Sequence, residues 1–396
     1  VIQLICVQKI YGRRYLVKSK WIHGALPALL IHCCIGTVYC WSLLKGDIAG
    51  LMKVNVSSIE FAFSLAIFFL GMSAAFGGRF VEKNGRRSSL VSMLCFSGGL
   101  LGTIYAITLG SIPLLFLFYG GIMGIGLGLG YLSPVKTLML WFSKHKGLAT
   151  GIAISGFGLS KALFSPFITW CNSGYGIKAT LFCISVISII CMGAASMLIK
   201  KPDGWKEDSR KFSILEAIRT ILNPVYLKIW TVFYLNITCG LALIAFEKDL
   251  AEKSGLGWIG ILASLTALFN TLGRFGYSTV SDWTKDKSKI YLTIFFTSGL
   301  AMMLPIFFGL KIWVIVVMLC IINSGYGGGF STLPTFLESK FGMKRISMIH
   351  GFALSAWGWA GLSGNQLSNL VLNYYHGEFN DLFIVLCSLY ILAFII

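Results

Sequence analysis

Arg274 stands inside SLTALFNTLGRFGYSTVSD, an apolar stretch long enough to cross a bilayer, about eight residues from its polar end at Asp282. A permanent cation in hydrocarbon costs roughly 2.5–3.5 kcal/mol on insertion scales, so keeping it there calls for a return. A guanidinium is always charged, and its planar fork meets a carboxylate through two parallel hydrogen bonds. The bland alternative is a side chain that snorkels to the polar end. At ~1.5 Å rise per residue Asp282 is roughly 12 Å away, too far for comfortable pairing. Asn270 lies one turn before Arg274 and Tyr277 about one turn after, so the three share a helix face. Such a face suits an anion, and a small carboxylate is the natural counter-ion.

Two other cations fall inside apolar runs. Lys161, in GFGLSKALF, is about nine residues from the outer end of its segment; it either faces a cavity or snorkels, and the residues leave both readings open. Lys136 follows Pro134 within two turns of the inner end, where snorkelling is the better reading. Tyr39, Tyr131, Tyr326 and Trp357 could donate to a carboxylate and wall it from water. Other chemistry finds little support. The 11 cysteines sit mostly in apolar runs without ligand spacing, so neither disulfides, a metal nor a cofactor is expected. His23 and His32 do not share a turn and have no intramembrane acid beside them, which disfavours a membrane-embedded enzyme. The runs GGIMGIGLGLG and GYGGG lack a preceding strand and a closing Gly-Lys-Ser/Thr, so they read as close helix packing rather than a nucleotide site.

The elements that must position these residues follow from composition. Of 396 residues 56% are hydrophobic and only 12% charged, and the mean hydropathy of +0.79 marks a polytopic membrane protein. Apolar segments of about 20 residues fall near 22–44, 58–78, 89–109, 113–141, 147–170, 178–199, 225–246, 257–281, 290–309, 312–337, 347–371 and 381–396. That predicts twelve transmembrane helices, the last cut short, with both chain ends reading as truncated. The net charge of +18 reflects topology rather than nucleic-acid binding, because 24 of the 33 cations lie in the N-terminal arm, the even-numbered loops and the segment 200–228. The opposite loops hold only Lys45, Lys53, Lys178, Lys248, Lys253 and Lys311, so the termini are expected to be cytoplasmic. Every Asp and Glu sits in a loop or at a helix end, leaving a basic bundle interior.

The chain also repeats itself at an offset of 200 residues: Glu82 falls on Asp282, Gly128 on Gly328, Pro134 on Pro334, Lys144 on Lys344, Gly151 on Gly351 and Gly158 on Gly358. The expectation is an all-α membrane protein with two pseudo-symmetric six-helix halves, 1–199 and 225–396, joined by a cytoplasmic linker at 200–224. Parallel repeats of this kind place a substrate near the midplane between the halves.

GRFVEKNGRR, from Gly78 to Arg87, resembles the G-x-x-x-D-R-x-G-R-R signature of the major facilitator superfamily, with Glu82 and Lys83 as conservative changes. The resemblance implies a gating loop in which Gly78, Glu82, Lys83 and Arg86 latch one conformation. The second copy keeps Asp282 at the matching gating position but loses the Gly-Arg. GTVYCWSLL, WFSKHKGLATGIAISGFGL, FNTLGRFGYSTVSD and HGFALSAWGWAGL further resemble the oxalate:formate antiporter family and the related monocarboxylate porters. That likeness spans most of the chain and implies transport of oxalate, formate, lactate or pyruvate, with Arg274 and Tyr39 at the substrate. An Asp used in proton coupling by the porters is Asn270 here, which favours exchange over proton symport. A Lys of the oxalate-specific members is replaced by Trp357, while Lys161 has no counterpart and could supply a cation from the opposite wall. The reading is thus a secondary carboxylate carrier of the cell membrane, monomeric and lipid-embedded. A proton-coupled symporter, or a sensor of the same fold, stands as the alternative.

Overall fold

The computed structural model describes residues 19–205, 214–244 and 246–396. The arm cations Lys9, Arg13, Arg14 and Lys18, and Lys206, Arg210 and Lys211 of the expected linker, lie outside them. Every regular element among the described residues is helical. The first long helices are α1 (Trp21–Leu43), α3 (Val56–Lys83), α4 (Gly85–Leu109) and α5 (Ile112–Trp141), with the short α2 (Lys45–Met52) between α1 and α3. Lys146–Leu198 is a continuous run broken at Gly176, whose φ of 78° lies in the left-handed region open to glycine; it therefore comprises α6 (146–175) and α7 (177–198). The short α8 (Ile214–Ile221) then leads to α9 (Pro224–Ile244) and the short α10 (Glu247–Lys253). The chain closes with α11 (Ile259–Trp283), α12 (Ser288–Phe308), α13 (Ile312–Phe341), α14 (Ile346–Tyr374) and α15 (Phe379–Ile395).

These long helices follow the apolar segments of the sequence to within a few residues. Among the described residues, eight helical stretches are long and apolar enough to cross a membrane by length and composition. The α11 and α14 helices are not among them, although they have 25 and 29 residues, and they are the two that carry Arg274, Asn270, Trp357 and His350. The distribution of polarity suits a lipid solvent. Phe76, Leu94, Leu163 and Phe307 are exposed, whereas Ser92, Ser185, Asn236 and Arg274 are fully buried.

Two seams join the first six long helices to the last six. The α3 helix packs along α14, and a Cβ at Gly71 would lie 2.6 Å from the Gly358 amide nitrogen. The α6 helix packs along α11, where a Cβ at Gly151 would lie 2.5 Å from the Ser278 hydroxyl. Only small residues permit backbones to approach so closely in lipid, where no hydrophobic force draws helices together. The C-terminal part of α1, Gly36–Leu43, winds more tightly into a 3₁₀ turn, and that turn carries Tyr39.

Candidate functional site

Arg274 is completely buried on α11. Its Nε donates to the Asn270 side-chain oxygen at 2.8 Å, and Nη1 reaches the Ile154 carbonyl only at 3.5 Å. Nη2 has no partner. The rings of Phe157 on α6 and Phe330 on α13 lie 5.7 and 5.2 Å from the guanidinium carbon, one from each set of six helices. Glycine makes room for the side chain: a Cβ at Gly327 would sit 3.0 Å from Arg274 Cγ, and one at Gly158 3.4 Å from Cδ. Among the described residues no carboxylate pairs with it. A buried guanidinium held by one amide and two ring faces keeps donor capacity in reserve.

Above Arg274 lies a cavity of about 420 Å³, at the end of the bundle that carries few cations. Its deeper wall includes Tyr39, Lys161, Asn270 and Tyr326, and Lys45, Glu60, Glu247 and Lys248 line it further out. Lys45 and Glu60 form an ion pair at the mouth. The Tyr39 and Tyr326 hydroxyls meet at 3.3 Å across the bundle, linking α1 to α13. Thr266 donates to Glu247 at 2.6 Å, so this carboxylate folds back toward the helix of Asn270 and Arg274. Glu247 itself opens the short α10 helix.

The expected binding residues therefore separate into two levels. Tyr39, Lys161, Asn270 and Tyr326 line the cavity, whereas Arg274, Tyr131 and Trp357 are buried and do not. Those three are enclosed in this conformation, because both seams are closed and aromatic rings fill the space below Asn270. Trp357 packs edge-on against Tyr131, Phe157 and Phe330, with centroids 5.6, 5.7 and 4.5 Å away. His32 and His350 flank Tyr131 in the same plug, at 5.2 and 5.9 Å. The Tyr131 hydroxyl, Trp357 Nε1 and Nε2 of both histidines are buried without hydrogen-bond partners. Tyr277, expected on the face of Arg274, packs beside Gly328 of α13, next to the Gly327 that adjoins Arg274.

At the cation-rich end the gating residues make a different pattern from the one their spacing suggested. GRFVEKNGRR is hardly a loop: α3 runs to Lys83, α4 begins at Gly85, and only Asn84 intervenes, its side chain accepting from the Arg87 amide at 3.0 Å. Glu82 accepts from the Ser347 amide at the start of α14 at 2.9 Å and forms an ion pair with Lys136. The Glu82 carbonyl accepts from Lys201 at 3.0 Å. Lys136 is thus corrected from a snorkelling cation to a buried partner of Glu82, with 2% of its side chain exposed. Lys83 and Arg86 are exposed and make no ion pair among the described residues; the cations at Glu82 are Lys136 and Lys201. Gly78 lets α3 approach α14, since a Cβ there would lie 2.7 Å from Met348 Cα.

Asp282 repeats the arrangement on the other seam. It accepts from the Gly147 and Leu148 amides at 2.7 and 2.9 Å, at the first turn of α6, and Lys146 beside them pairs with Glu338 of α13 at 2.6 Å. Carboxylates at helix N-termini satisfy free amides and favour the helix dipole. Glu82 to Ser347 and Asp282 to Gly147 are related by the 200-residue offset, so the repeat held the signal for both contacts. Ser347, Lys201, Glu338 and Glu247 were missed because nothing local marks a backbone amide or a loop acid as a partner.

Comparison with known proteins agrees with the helical architecture. The family model described as Major Facilitator Superfamily matches residues 28–365. The oxalate:formate antiporter of Oxalobacter formigenes is 26% identical over 362 residues, covering 89% of this chain and 85% of that protein. Monocarboxylate transporter 13 of Rattus norvegicus is 26% identical over 197 residues, 48% of this chain and 44% of that one. Among solved structures, the transporter FucP in its outward conformation superposes with a TM-score of 0.74 at 13% identity, covering 95% of this chain and 98% of that one.

Proposed function

The chain belongs to the Major Facilitator Superfamily of membrane transporters, and on that premise we propose that it carries small organic carboxylates by alternating access, with Arg274 as the substrate's counter-ion. The observation that carries the reading is the state of Arg274: fully buried, without a carboxylate partner among the described residues, and with Nη2 unpartnered. Leaving such a donor unmet in a dry interior costs about 1–3 kcal/mol, more for a charged group, and a carboxylate meets it bidentately. The relatives named for oxalate, formate and monocarboxylates support the same substrate class.

In this reading all twelve long helices cross the membrane in two six-helix halves, 1–199 and 225–396, around the linker 200–224, and the chain acts as a monomer in the cell membrane. The cation-rich end is cytoplasmic by the positive-inside rule. The cavity then opens outward and the conformation is closed at the cytoplasmic side by Glu82 and Asp282. A carboxylate entering from outside meets Lys161, Asn270 and the Tyr39–Tyr326 pair. It reaches Arg274 when that pair parts, and occupancy draws the halves together around it. Tyr131 and Trp357 wall the far side and present unpartnered donors as the path reverses. Lys161 lines the cavity from α6, the helix packed along that of Arg274, so two cations stand on the two sides of one seam, Lys161 above and Arg274 beneath, and a dicarboxylate fits the arrangement.

The test is counterflow of labelled C1–C4 carboxylates in proteoliposomes. Arg274→Gln should abolish flux of every carboxylate while leaving the protein monodisperse; undiminished flux in that variant would remove Arg274 from the substrate site.

A further inference from the structure

The two histidines of the aromatic plug take no part in the scheme so far. His32 is fully buried on α1 and His350 is 2% exposed on α14, so they come from opposite sets of six helices and meet at Tyr131. His32 Nδ1 lies 2.9 Å from the Ala28 carbonyl, which can only accept, so Nδ1 carries the hydrogen and Nε2 is a bare lone pair. That Nε2 and His350 Nε2 are both buried and unpartnered. The charged or titratable groups around them are few. Tyr131 of α5 lies between the rings, and His32 and Arg274 of α11 share the Phe157 ring, at 6.4 and 5.7 Å from its centroid. The α6 helix presents to His32 the Phe157 ring, at 6.4 Å, and the closely packed Gly156, neither of them titratable. On the α3 side the nearest acid along the seam, Glu82, is engaged by Lys136 and the Ser347 amide. On the α9 side Tyr226 donates to the neighbouring Ile349 carbonyl at 3.1 Å.

We propose that His32, together with His350, is a proton-binding site coupled to carboxylate binding at Arg274. With the seams closed and no anion present, a proton on His32 Nε2 would place a second buried cation beside Arg274 with no carboxylate to offset either. A carboxylate on Arg274 removes that repulsion, so anion and proton stabilise one another, each raising the other's affinity by the same factor. The proton enters with the anion from the cavity side when the Tyr39–Tyr326 contact parts, adds to the His32 Nε2 lone pair while Nδ1–H stays on Ala28, and leaves when the cytoplasmic seam opens and water reaches the plug. His350 holds the other side of that seam, three residues beyond Ser347. A proton site built from α1 and α14 makes net carboxylate uptake proton-linked.

The inference rests on the carboxylate reading above, and the experiment separates the two. Proteoliposomes with a pH-reporting dye inside receive labelled oxalate, or labelled lactate, under an inside-alkaline gradient with no internal substrate. Parallel vesicles preloaded with the same anion report counterflow. The wild type should accumulate label and acidify the lumen beyond protein-free vesicles. His32→Gln, and more completely His32→Gln with His350→Gln, should lose gradient-driven accumulation and acidification yet retain counterflow. Counterflow serves as the internal check on folding; should His32→Gln misfold, His32→Asn and the wild-type proton flux decide. Wild-type counterflow without proton movement overturns the inference alone, as does wild-type accumulation in the histidine variants. Absence of any counterflow in the wild type overturns the carboxylate reading and this inference with it.

Discussion

Asp282→Ala offers the sharpest test of how the seams hold. Asp282 accepts two backbone amides of α6, from Gly147 at 2.7 Å and Leu148 at 2.9 Å. A hydrogen bond to a charged group contributes about 1.5–3 kcal/mol, and water recovers part of that when the seam opens. A net loss of about 2–3 kcal/mol for the closed state follows, a shift of roughly 30- to 150-fold in its population relative to the open one. Asp282→Asn keeps an acceptor without the charge and should cost about 1 kcal/mol, roughly fivefold. Hydrogen exchange read by mass spectrometry over residues 146–152 and 346–352 is the assay. Losing the local acceptor alone would speed exchange only in the first turn of α6. In the proposed alternating access both seams open together, so the first turn of α14, held by Glu82 through the Ser347 amide, should also exchange faster. Unchanged exchange at 346–352 in Asp282→Ala would refute the reasoning that the two carboxylates latch one shared motion.

Other outcomes follow from the site. Lys161→Gln should reduce dicarboxylate flux by about tenfold or more relative to monocarboxylate flux, scaling with the loss of one partly desolvated ion pair; equal loss of both in the counterflow panel would return Lys161 to a lipid- or water-facing role. Arg274→Lys keeps the charge but not the planar fork, and should leave less than about a tenth of wild-type flux. Gly327→Ala places a methyl 3.0 Å from Arg274 Cγ and should lower flux several-fold with an intact elution profile. Tyr39→Phe removes the hydroxyl contact across the cavity floor, worth about 0.5–1.5 kcal/mol, and should speed substrate release a few-fold in washout measurements.

Much of this architecture was readable in the chain itself. Hydropathy located the long helices, because a helix that must hide its backbone from lipid announces itself by about 20 apolar residues. The 200-residue offset marked Glu82 and Asp282 as equivalent, and Gly151 with Gly351 and Gly158 with Gly358 as matched seam positions. Arg274 drew attention through cost alone: a charge with no acid in reach along its own helix. Tertiary structure decided the rest, because it depends on contacts between helices far apart in sequence. It paired Lys136 with Glu82 rather than with water, and gave Asp282 two amides that no side-chain motif records. It put Lys161 on the cavity wall and Arg274 beneath it, and it brought His32 and His350 to opposite edges of one tyrosine. A sequence states which groups are costly to bury; which partner offsets each cost is settled only when the helices pack.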